Sequence, residues 1–250
     1  MEKKRNSVEF KVYGKYALFS DPITRPGGEK FSYQVPTYQA LKGILESIYW
    51  KPTFVWYIDA VRIMKKIQTE SKGIRTLKMS GGQDLSYYTY LRDVEYQVLA
   101  HFEWNDHRRD LEHDRNENKH HEMAKRAIRQ GGRRDIFIGT RECYGYVEPC
   151  EFGKGLSHDE QEPHYDNYGD LDFGIMFHGF DYPDETGNKE LTVRLCHQLM
   201  RNGVIEFNLP KDIPEHMKRE VKDYGEKYDF KQFREGVNFR NVDEELGRTL

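Results

Sequence analysis

A lysine and a histidine stand side by side at the start of a predicted helix, and both residue types can act on a phosphate group. Asn116 is a suitable N-cap, and Glu117–Gln130 carries apolar side chains at helical spacing until Gly131-Gly132 ends the pattern. Lys119 and His120 therefore fall in the first turn, where the helix dipole disfavours cations by about 0.3–1 kcal/mol each. Breaking this preference predicts that an anion binds at that helix end.

The Lys119-His120 pair has the groups that RNA cleavage without a metal requires. In that reaction a ribose 2′-hydroxyl attacks the adjacent phosphate and the 5′-oxygen leaves. A histidine, which titrates at about pH 6.5, can exchange protons near neutrality, and a lysine can neutralise the charge that gathers on the phosphorane. The alternative is that Lys119 and His120 are merely solvated residues at a helix end.

The positive charge of the chain is concentrated around this helix. The segment His107–Arg134 holds nine Lys or Arg against five Asp or Glu, although the whole chain has a formal charge of −3 and a pI near 6.4. A nucleic-acid partner would therefore have to bind this surface. The predicted phosphate-binding residues are Lys125, Arg126, Arg129, Arg133 and Arg134. The alternative for Gly131-Gly132 and the two arginines after it is an ordinary helix end with solvated side chains.

A second constellation precedes the helix and has metal-compatible residue types. His107, Asp110, His113 and Asp114 are spaced so that a helix would gather them on one face, as a Mg²⁺ or Mn²⁺ site requires. This pattern would suit a metal-dependent DNA nuclease. The adjacent Arg108-Arg109 disfavours a cation, so we expect no metal and no cofactor.

Hydrophobic patterning predicts an α+β protein with a ferredoxin-like N-terminal domain. The predicted order is strand–helix–strand–strand–helix–strand, which is the βαββαβ arrangement. The predicted strands are Val8–Phe19, Thr53–Ile67, Tyr90–Trp104 and Asp135–Val147, and the first helix is Pro36–Tyr49. Gln68–Thr89 is predicted to be a long connection. The tyrosine cluster at its end, Tyr87, Tyr88 and Tyr90, could stack on unpaired bases or pack at a sheet edge.

The C-terminal part predicts a second, smaller unit. Residues 148–170 are polar and rich in glycine, so a domain boundary is expected there, with a ferredoxin-like domain over 1–150. Strands expected at Leu171–Tyr182, Leu191–Met200 and Gly203–Leu209 would form a small antiparallel sheet domain over 151–210. Residues 211–250 are predicted to be a charged tail, partly helical or weakly ordered.

Composition excludes several classes of protein. No apolar run approaches the roughly 20 residues that span a bilayer, and the N-terminus lacks a signal-peptide core. Three cysteines without zinc-like spacing are typical of a reduced compartment, so we expect a cytoplasmic protein without a membrane partner.

Four ordered blocks carry a specific resemblance. They read EFKVYGKYALFSDP, GGEKFSYQVPTYQALKGILESIYWKP, DRNENKH and GGRRDIFIGTRECYGYVEPCEFG. Over roughly residues 8–210 the chain resembles the subtype I-C variant of the fifth CRISPR-associated family, an RNA-cutting branch of the RAMP superfamily. RAMP proteins use the ferredoxin-like fold, so the resemblance and the patterning agree. The last forty residues lie outside it.

The resemblance implies a function and three catalytic residues. It implies an endoribonuclease that recognises the hairpin of a CRISPR repeat, cuts at its base, and stays on the 5′ handle with the other subunits of the interference complex. Double-stranded DNA is a further implied partner. Tyr49, Lys119 and His120 match the family's catalytic set, although Tyr49 alone would be interpreted as a core residue. The alternative, from relatives in other subtypes, is a non-catalytic scaffold that binds the RNA handle.

Overall fold

A computed structural model describes residues 4–22, 24, 28–77 and 81–223. The strands are β1 (Val8–Ala17), β2 (Lys30–Phe31), β3 (Phe54–Ile63), β4 (Thr69–Leu77), β5 (Gln83–Trp104), β6 (Ile136–Phe137), β7 (Tyr144–Pro149), β8 (Asp170–Asp181), β9 (Glu190–Arg201), β10 (Val204–Glu206) and β11 (Lys218–Asp223). The helices are α1 (Tyr38–Ile48), α2 (Glu117–Arg129) and α3 (Pro183–Thr186). A 3₁₀ helix, Arg109–Asp114, precedes α2. No helix among these residues has the length and apolarity needed to cross a membrane.

The expected mixture of α-helices and antiparallel β-strands is confirmed, and the structure has one large sheet. Within the described residues, eleven strands form one sheet, and its central order is β3-β5-β1-β7. With α1 after β1 and α2 after β5, these strands follow the chain order and neighbour order of a βαββαβ unit. α1 packs against β3, and α2 packs against β7 and β1.

The first helix forms where its cap and its apolar stripe predict it. The Thr37 hydroxyl accepts a hydrogen bond from the Ala40 amide at 3.2 Å, which satisfies one of the free N–H groups of the first turn. The apolar positions Leu41, Ile44, Leu45 and Ile48 are all buried in the core between α1 and the sheet. Packing of this stripe fixes the orientation of α1, and it therefore also fixes the position of Tyr49, the residue that follows the helix.

The C-terminal strands continue the same sheet. β10 pairs with β3 through Val204 and Arg62, so β8 to β11 extend the sheet beyond β3. The sequence pattern of each strand predicts that a strand forms, but it does not predict that β10 pairs with β3. The expected division near residues 148–170 stays a prediction.

Two local expectations are wrong. The long connection expected at residues 68–89 contains paired strands instead, because β4 pairs with the first part of β5. Most side chains of this hairpin that the structure describes are exposed or half-buried. The single strand expected at Asp135–Val147 is two short strands, β6 and β7, separated by a turn in which Gly139 has φ of +95°. The strand β11 occupies part of the expected tail, and residues 224–250 of that tail lie outside the described residues.

Candidate active site

Tyr49 lies at the point where α1 ends and the backbone becomes extended. Its N–H donates to the Leu45 carbonyl at 2.9 Å, and its own carbonyl accepts from the Trp56 indole N–H at 2.8 Å. These bonds hold the residue to the last helical turn and to β3. Its ring is 1% exposed and packs near Phe54, so the hydroxyl has little freedom of position.

The start of α2 holds Lys119 and His120 as the sequence predicts. Asn116 is the N-cap, and its side-chain carbonyl accepts from the Lys119 amide at 3.0 Å. Both residues therefore lie in the first turn, with His120 on the buried face and Lys119 on the half-exposed one.

A hydrogen-bond chain joins these residues across the two helices. The Tyr49 hydroxyl lies 2.8 Å from His120 Nδ1, and His120 Nε2 lies 2.8 Å from the Asp114 carbonyl oxygen. Because a carbonyl only accepts, Nε2 must carry a proton. In the neutral ring, Nδ1 then has the lone pair and accepts from the Tyr49 hydroxyl. In this hydrogen-bond chain the Tyr49 phenol therefore donates to the imidazole, and the imidazole donates to the backbone carbonyl.

Asp114 is the residue that connects Lys119 to this chain. Its carboxylate lies 2.5 Å from Lys119 Nζ and accepts from the Thr53 hydroxyl at 2.9 Å. The Lys119 hydrogen bond is the largest of the causes that hold the pKa of Asp114 below its usual range. Asp114 therefore positions His120 through its backbone and Lys119 through its side chain.

The members of the chain differ in their access to solvent. His120 is 0% exposed, whereas the Lys119 side chain is 50% exposed. The sulfur of Met123 lies 3.5 Å from the Tyr49 hydroxyl and covers it from α2. Lys119 and Asp114 thus form the surface of the site, and Tyr49 and His120 lie directly below it.

The protonation state of Tyr49 follows from its surroundings. Burial, together with the nearby Asp114 carboxylate, raises the pKa of Tyr49 to about 12, and Arg133 opposes the rise. The hydroxyl is therefore a neutral hydrogen-bond donor near pH 7 and a poor general base.

Four of the five predicted phosphate-binding residues line two clefts that share no lining residue. Arg133 and Arg134 line an open cleft of about 490 Å³ beside the end of α1. Lys125 and Arg129 line another, of about 300 Å³, between α2 and the end of β7. Arg126 is exposed, and Lys125 also pairs with Glu122 at 3.2 Å. Since Arg133 acts on the pKa of Tyr49, the first cleft is the one electrostatically linked to the catalytic candidates.

The alternative metal constellation does not assemble. Residues Arg109–Asp114 form a 3₁₀ helix, in which Asp110 pairs with Arg108 at 3.3 Å and Asp114 pairs with Lys119. In the part of the chain that the structure describes, no three His, Cys, Asp or Glu side chains come together as a metal-binding group. The grouping of these side chains that the metal alternative requires is therefore absent from the described residues.

The tyrosines of the hairpin are divided between core and surface. Tyr90 is buried, while Tyr87 is exposed on the β4–β5 hairpin. Lys30 lies 4.9 Å from the Tyr88 ring centroid, a cation–π distance. The edge-packing interpretation fits Tyr90, and base stacking stays a prediction for Tyr87.

Sequence patterns alone miss the role of two site residues. The residue type and spacing of Asp114 suit a metal ligand, whereas its place two residues before the N-cap brings its carbonyl to His120. Thr53 has no recognisable signal, because its contact with Asp114 joins positions 61 residues apart.

Comparison with known proteins identifies relatives over most of the chain. Residues 7–208 match the model of the family described as CRISPR-associated protein (Cas_Cas5). A curated relative from Mannheimia succiniciproducens, named CRISPR pre-crRNA endoribonuclease Cas5d, is 29% identical over 87% of this chain and 99% of its own. A protein of the same name from Thermus thermophilus is 27% identical over 75% of this chain and 79% of its own.

The fold is also similar to that of a solved structure. A crystal structure described as a CRISPR-associated protein superposes with a TM-score of 0.70 at 37% identity. The superposition covers 88% of this chain and 98% of the chain in the solved structure.

Proposed function

The chain belongs to the CRISPR-associated Cas5 family, in its Cas5d branch of subtype I-C, and from this premise we propose that it is a pre-crRNA endoribonuclease. It recognises the hairpin of the CRISPR repeat and cuts at its base. The observation that carries the proposal is the contact of Tyr49 with His120, joined through Asp114 to Lys119. These are groups that can move a proton and neutralise a phosphorane without a metal.

The proposed reaction is attack by the 2′-hydroxyl on the neighbouring phosphate. The hydroxyl loses its proton as its oxygen bonds to phosphorus, and the bond to the 5′-oxygen breaks as that oxygen gains a proton. The products are a 2′,3′-cyclic phosphate and a 5′-hydroxyl. Lys119 stabilises the charge on the phosphorane. His120 takes the 2′-hydroxyl proton at Nδ1, where the substrate replaces the Tyr49 hydroxyl, and gives a proton to the 5′-oxygen, while Nε2 stays on the Asp114 carbonyl. Tyr49 orients the His120 ring before the substrate binds.

Two local movements would open the site to RNA. A phosphate at the helix start competes with the Asp114 carboxylate for Lys119, and the helix dipole favours the anion there. The unbranched Met123 side chain, which covers the Tyr49 hydroxyl, can change rotamer at low cost. Both movements leave the backbone of α2 in place.

The proposal includes partners, fold and location. The chain would remain on the 5′ handle with other subunits of the subtype I-C interference complex and contact double-stranded DNA there. The βαββαβ order supports a ferredoxin-like RAMP domain over residues 1–150, followed by a sheet unit over 151–210. Cys143, Cys150 and Cys196, the three cysteines of the chain, are free thiols, which supports a cytoplasmic location.

One observation favours the alternative of a scaffold that binds RNA without cutting it. Tyr49 and His120 are both buried in the free protein. The deciding experiment incubates excess protein with labelled repeat RNA and measures binding and cleavage in the same samples. A single cut at the base of the hairpin supports the enzyme, whereas tight binding of RNA that stays intact supports the scaffold.

Tyr49→Phe is expected to slow cleavage by about 10- to 100-fold, because the ring keeps its packing but His120 loses the hydroxyl that orients it. The lost hydrogen bond should lower the free energy of unfolding by only about 1–2 kcal/mol. Single-turnover rates and thermal melts of the variant and wild type check both expectations. A wild-type rate would remove Tyr49 from the proposed site.

Neutralising Arg133 and Arg134 together is expected to weaken repeat RNA binding and to flatten its salt dependence. Each lost phosphate contact should reduce the slope of log affinity against log salt by roughly 0.7–0.9. The cleavage rate at saturating RNA should change less than the affinity. Filter binding at several salt concentrations, beside single-turnover cleavage, measures both quantities.

The matched control for this variant removes two other exposed cations, Lys189 and Arg201, which lie outside the predicted surface. Its affinity and salt slope should equal those of the wild type. An equal loss in both double variants would show that only net charge matters. An unchanged Arg133 and Arg134 variant would direct the search to the β4–β5 hairpin with Lys72 and Arg75.

A further inference from the structure

The open cleft beside the end of α1 has features that the proposed reaction does not use. It is lined by Gly43, Glu46, Ser47, Trp50, Lys51, Pro52, Arg133 and Arg134 and has a volume of about 490 Å³. None of Tyr49, Lys119 and His120 is among these residues. The cleft therefore neighbours the candidate active site without being part of it.

An exposed tryptophan lies in this cleft immediately after Tyr49. Trp50 is 45% exposed, although large aromatic side chains are usually well covered. The N–H and the carbonyl of Tyr49 are both hydrogen-bonded, so the backbone from which Trp50 extends is held in place. An aromatic face in this position can stack on an unpaired base.

The charges of the cleft favour a ligand with a phosphate. Three cations, Lys51, Arg133 and Arg134, line it beside a single carboxylate, that of Glu46. Arginine binds phosphate oxygens with its planar fork of N–H groups. Arg133 also opposes the rise in the pKa of Tyr49, so a phosphate bound by Arg133 would lie in the electrostatic neighbourhood of the catalytic candidates.

Glu46 supplies a group that can distinguish bases. Lys42 directs its ammonium to both oxygens of Glu185 at 2.6 Å and lies 3.9 Å from Glu46, so the Glu46 carboxyl is only weakly engaged. Burial, with Glu185 and Asp184, raises the pKa of Glu46 to about 7, although Lys42 opposes the rise. A carboxyl group in a cleft can accept hydrogen bonds from the amino group of a base.

We propose that this cleft binds one unpaired nucleotide of the repeat RNA next to the cut, with its base stacked on Trp50 and its amino edge recognised by Glu46. Lys51 and Arg133 hold the phosphate of that nucleotide. This inference rests on the proposed function and adds a determinant of where the RNA is cut.

The test combines base removal in the RNA with removal of the aromatic ring in the protein. Repeat RNAs with an abasic residue at each position flanking the cut are cleaved under single-turnover conditions by wild type, Trp50→Ala and Trp50→Phe. At one position, the abasic residue should slow the wild type by about tenfold, as the loss of one stacking contact predicts. Trp50→Ala should slow cleavage of normal RNA by a similar factor, and Trp50→Phe should recover most of the lost rate.

The decisive result is whether the rate losses caused by the abasic residue and by Trp50→Ala are independent of each other. If the base stacks on Trp50, the Trp50→Ala variant should cleave the abasic RNA as fast as it cleaves normal RNA, because the stacking contact is already lost. Losses that multiply at every flanking position would overturn the proposal. Thermal melts control for folding, and the partial exposure of Trp50 makes unfolding an unexpected outcome.

Glu46→Gln tests recognition of the base edge. Wild-type rates with the four bases at the sensitive position should differ by about tenfold or more, since a lost base contact costs about that factor. The variant should lose or reorder this preference. An unchanged preference would remove Glu46 from the proposal and leave a stacking site without base recognition, contrary to what we infer.

A binding measurement separates this inference from the proposed enzyme. Affinities are measured with a repeat RNA that has a 2′-deoxy nucleotide at the cut, with and without the flanking base. If the wild type never cuts RNA but binds it about tenfold better with the base, and only when Trp50 is present, the subsite stands and the enzyme proposal fails. If the wild type cuts RNA with no dependence on the base or on Trp50, the enzyme proposal stands and the subsite is overturned.

Discussion

A 2′-deoxy substitution at the nucleotide just before the cut is expected to reduce cleavage to background, because the attacking oxygen is then absent. The same RNA should bind with nearly unchanged affinity, since phosphate contacts remain intact. With unmodified RNA, cleavage should persist in excess EDTA and should leave a 2′,3′-cyclic phosphate, because Lys119 and His120 supply the charge and the proton transfer. Gel mapping and mass spectrometry of the product ends measure these outcomes.

Each arm of this experiment has a contradicting result. Cleavage that survives the deoxy substitution would require an external nucleophile and would exclude the proposed reaction. Activity that disappears in EDTA and returns with Mg²⁺ would revive the metal-dependent alternative. A deoxy substitution one nucleotide farther upstream is the matched control, and it should leave the cleavage rate unchanged.

Lys119→Ala is expected to lower the single-turnover cleavage rate by about 100-fold or more, the usual loss for an electrostatic group that faces a transition state. Lys119 is the cleanest position to change because half of its side chain is exposed and its main partner is the Asp114 carboxylate. Asn118→Ala is the matched control, since Asn118 is exposed on the same helical turn and outside the proposed machinery. Equal rates in both variants would contradict the role of Lys119.

His120→Ala is expected to have an effect of the same size, about 100-fold or more. Because His120 is fully buried, its removal also takes the imidazole partner from the Tyr49 hydroxyl, at a cost of about 1–3 kcal/mol, whereas the Asp114 carbonyl still accepts from the Asn116 amide. His120→Gln separates chemistry from folding, since its amide can still donate to the carbonyl but cannot exchange a proton near neutrality. A folded His120→Gln variant with wild-type activity would exclude His120 from proton transfer.

The buried position of the Tyr49–His120 pair has a consequence for regulation of the chemistry. Free protein holds Lys119 on Asp114 and keeps the Tyr49 hydroxyl under Met123. A phosphate offered to Lys119 would compete with Asp114 for its ammonium group. The site would therefore become competent as the substrate binds, which limits unspecific attack on other RNA.

Local patterns in the sequence determined much of the fold. The capped apolar stripe of α1 and the Asn116 cap of α2 are local signals, because propensity, capping and helical spacing all agree within about fifteen residues. The strands with buried faces are predictable for the same reason. The family resemblance, carried by long ordered blocks, indicated Tyr49, which patterning alone would have assigned to the core.

Other features required the tertiary structure because they join positions far apart in the chain. The β4–β5 hairpin escapes prediction because β4 and the first part of β5 are largely exposed and lack a clear buried face. The joining of β10 to β3 depends on backbone pairing across about 140 residues. Within the site, the sequence alone predicts that Lys119 and His120 lie together, because they are neighbours on one helix. The packing of α1 against the sheet and near α2 decided that Tyr49 reaches His120, that Asp114 binds Lys119, and that Trp50 faces an open cleft.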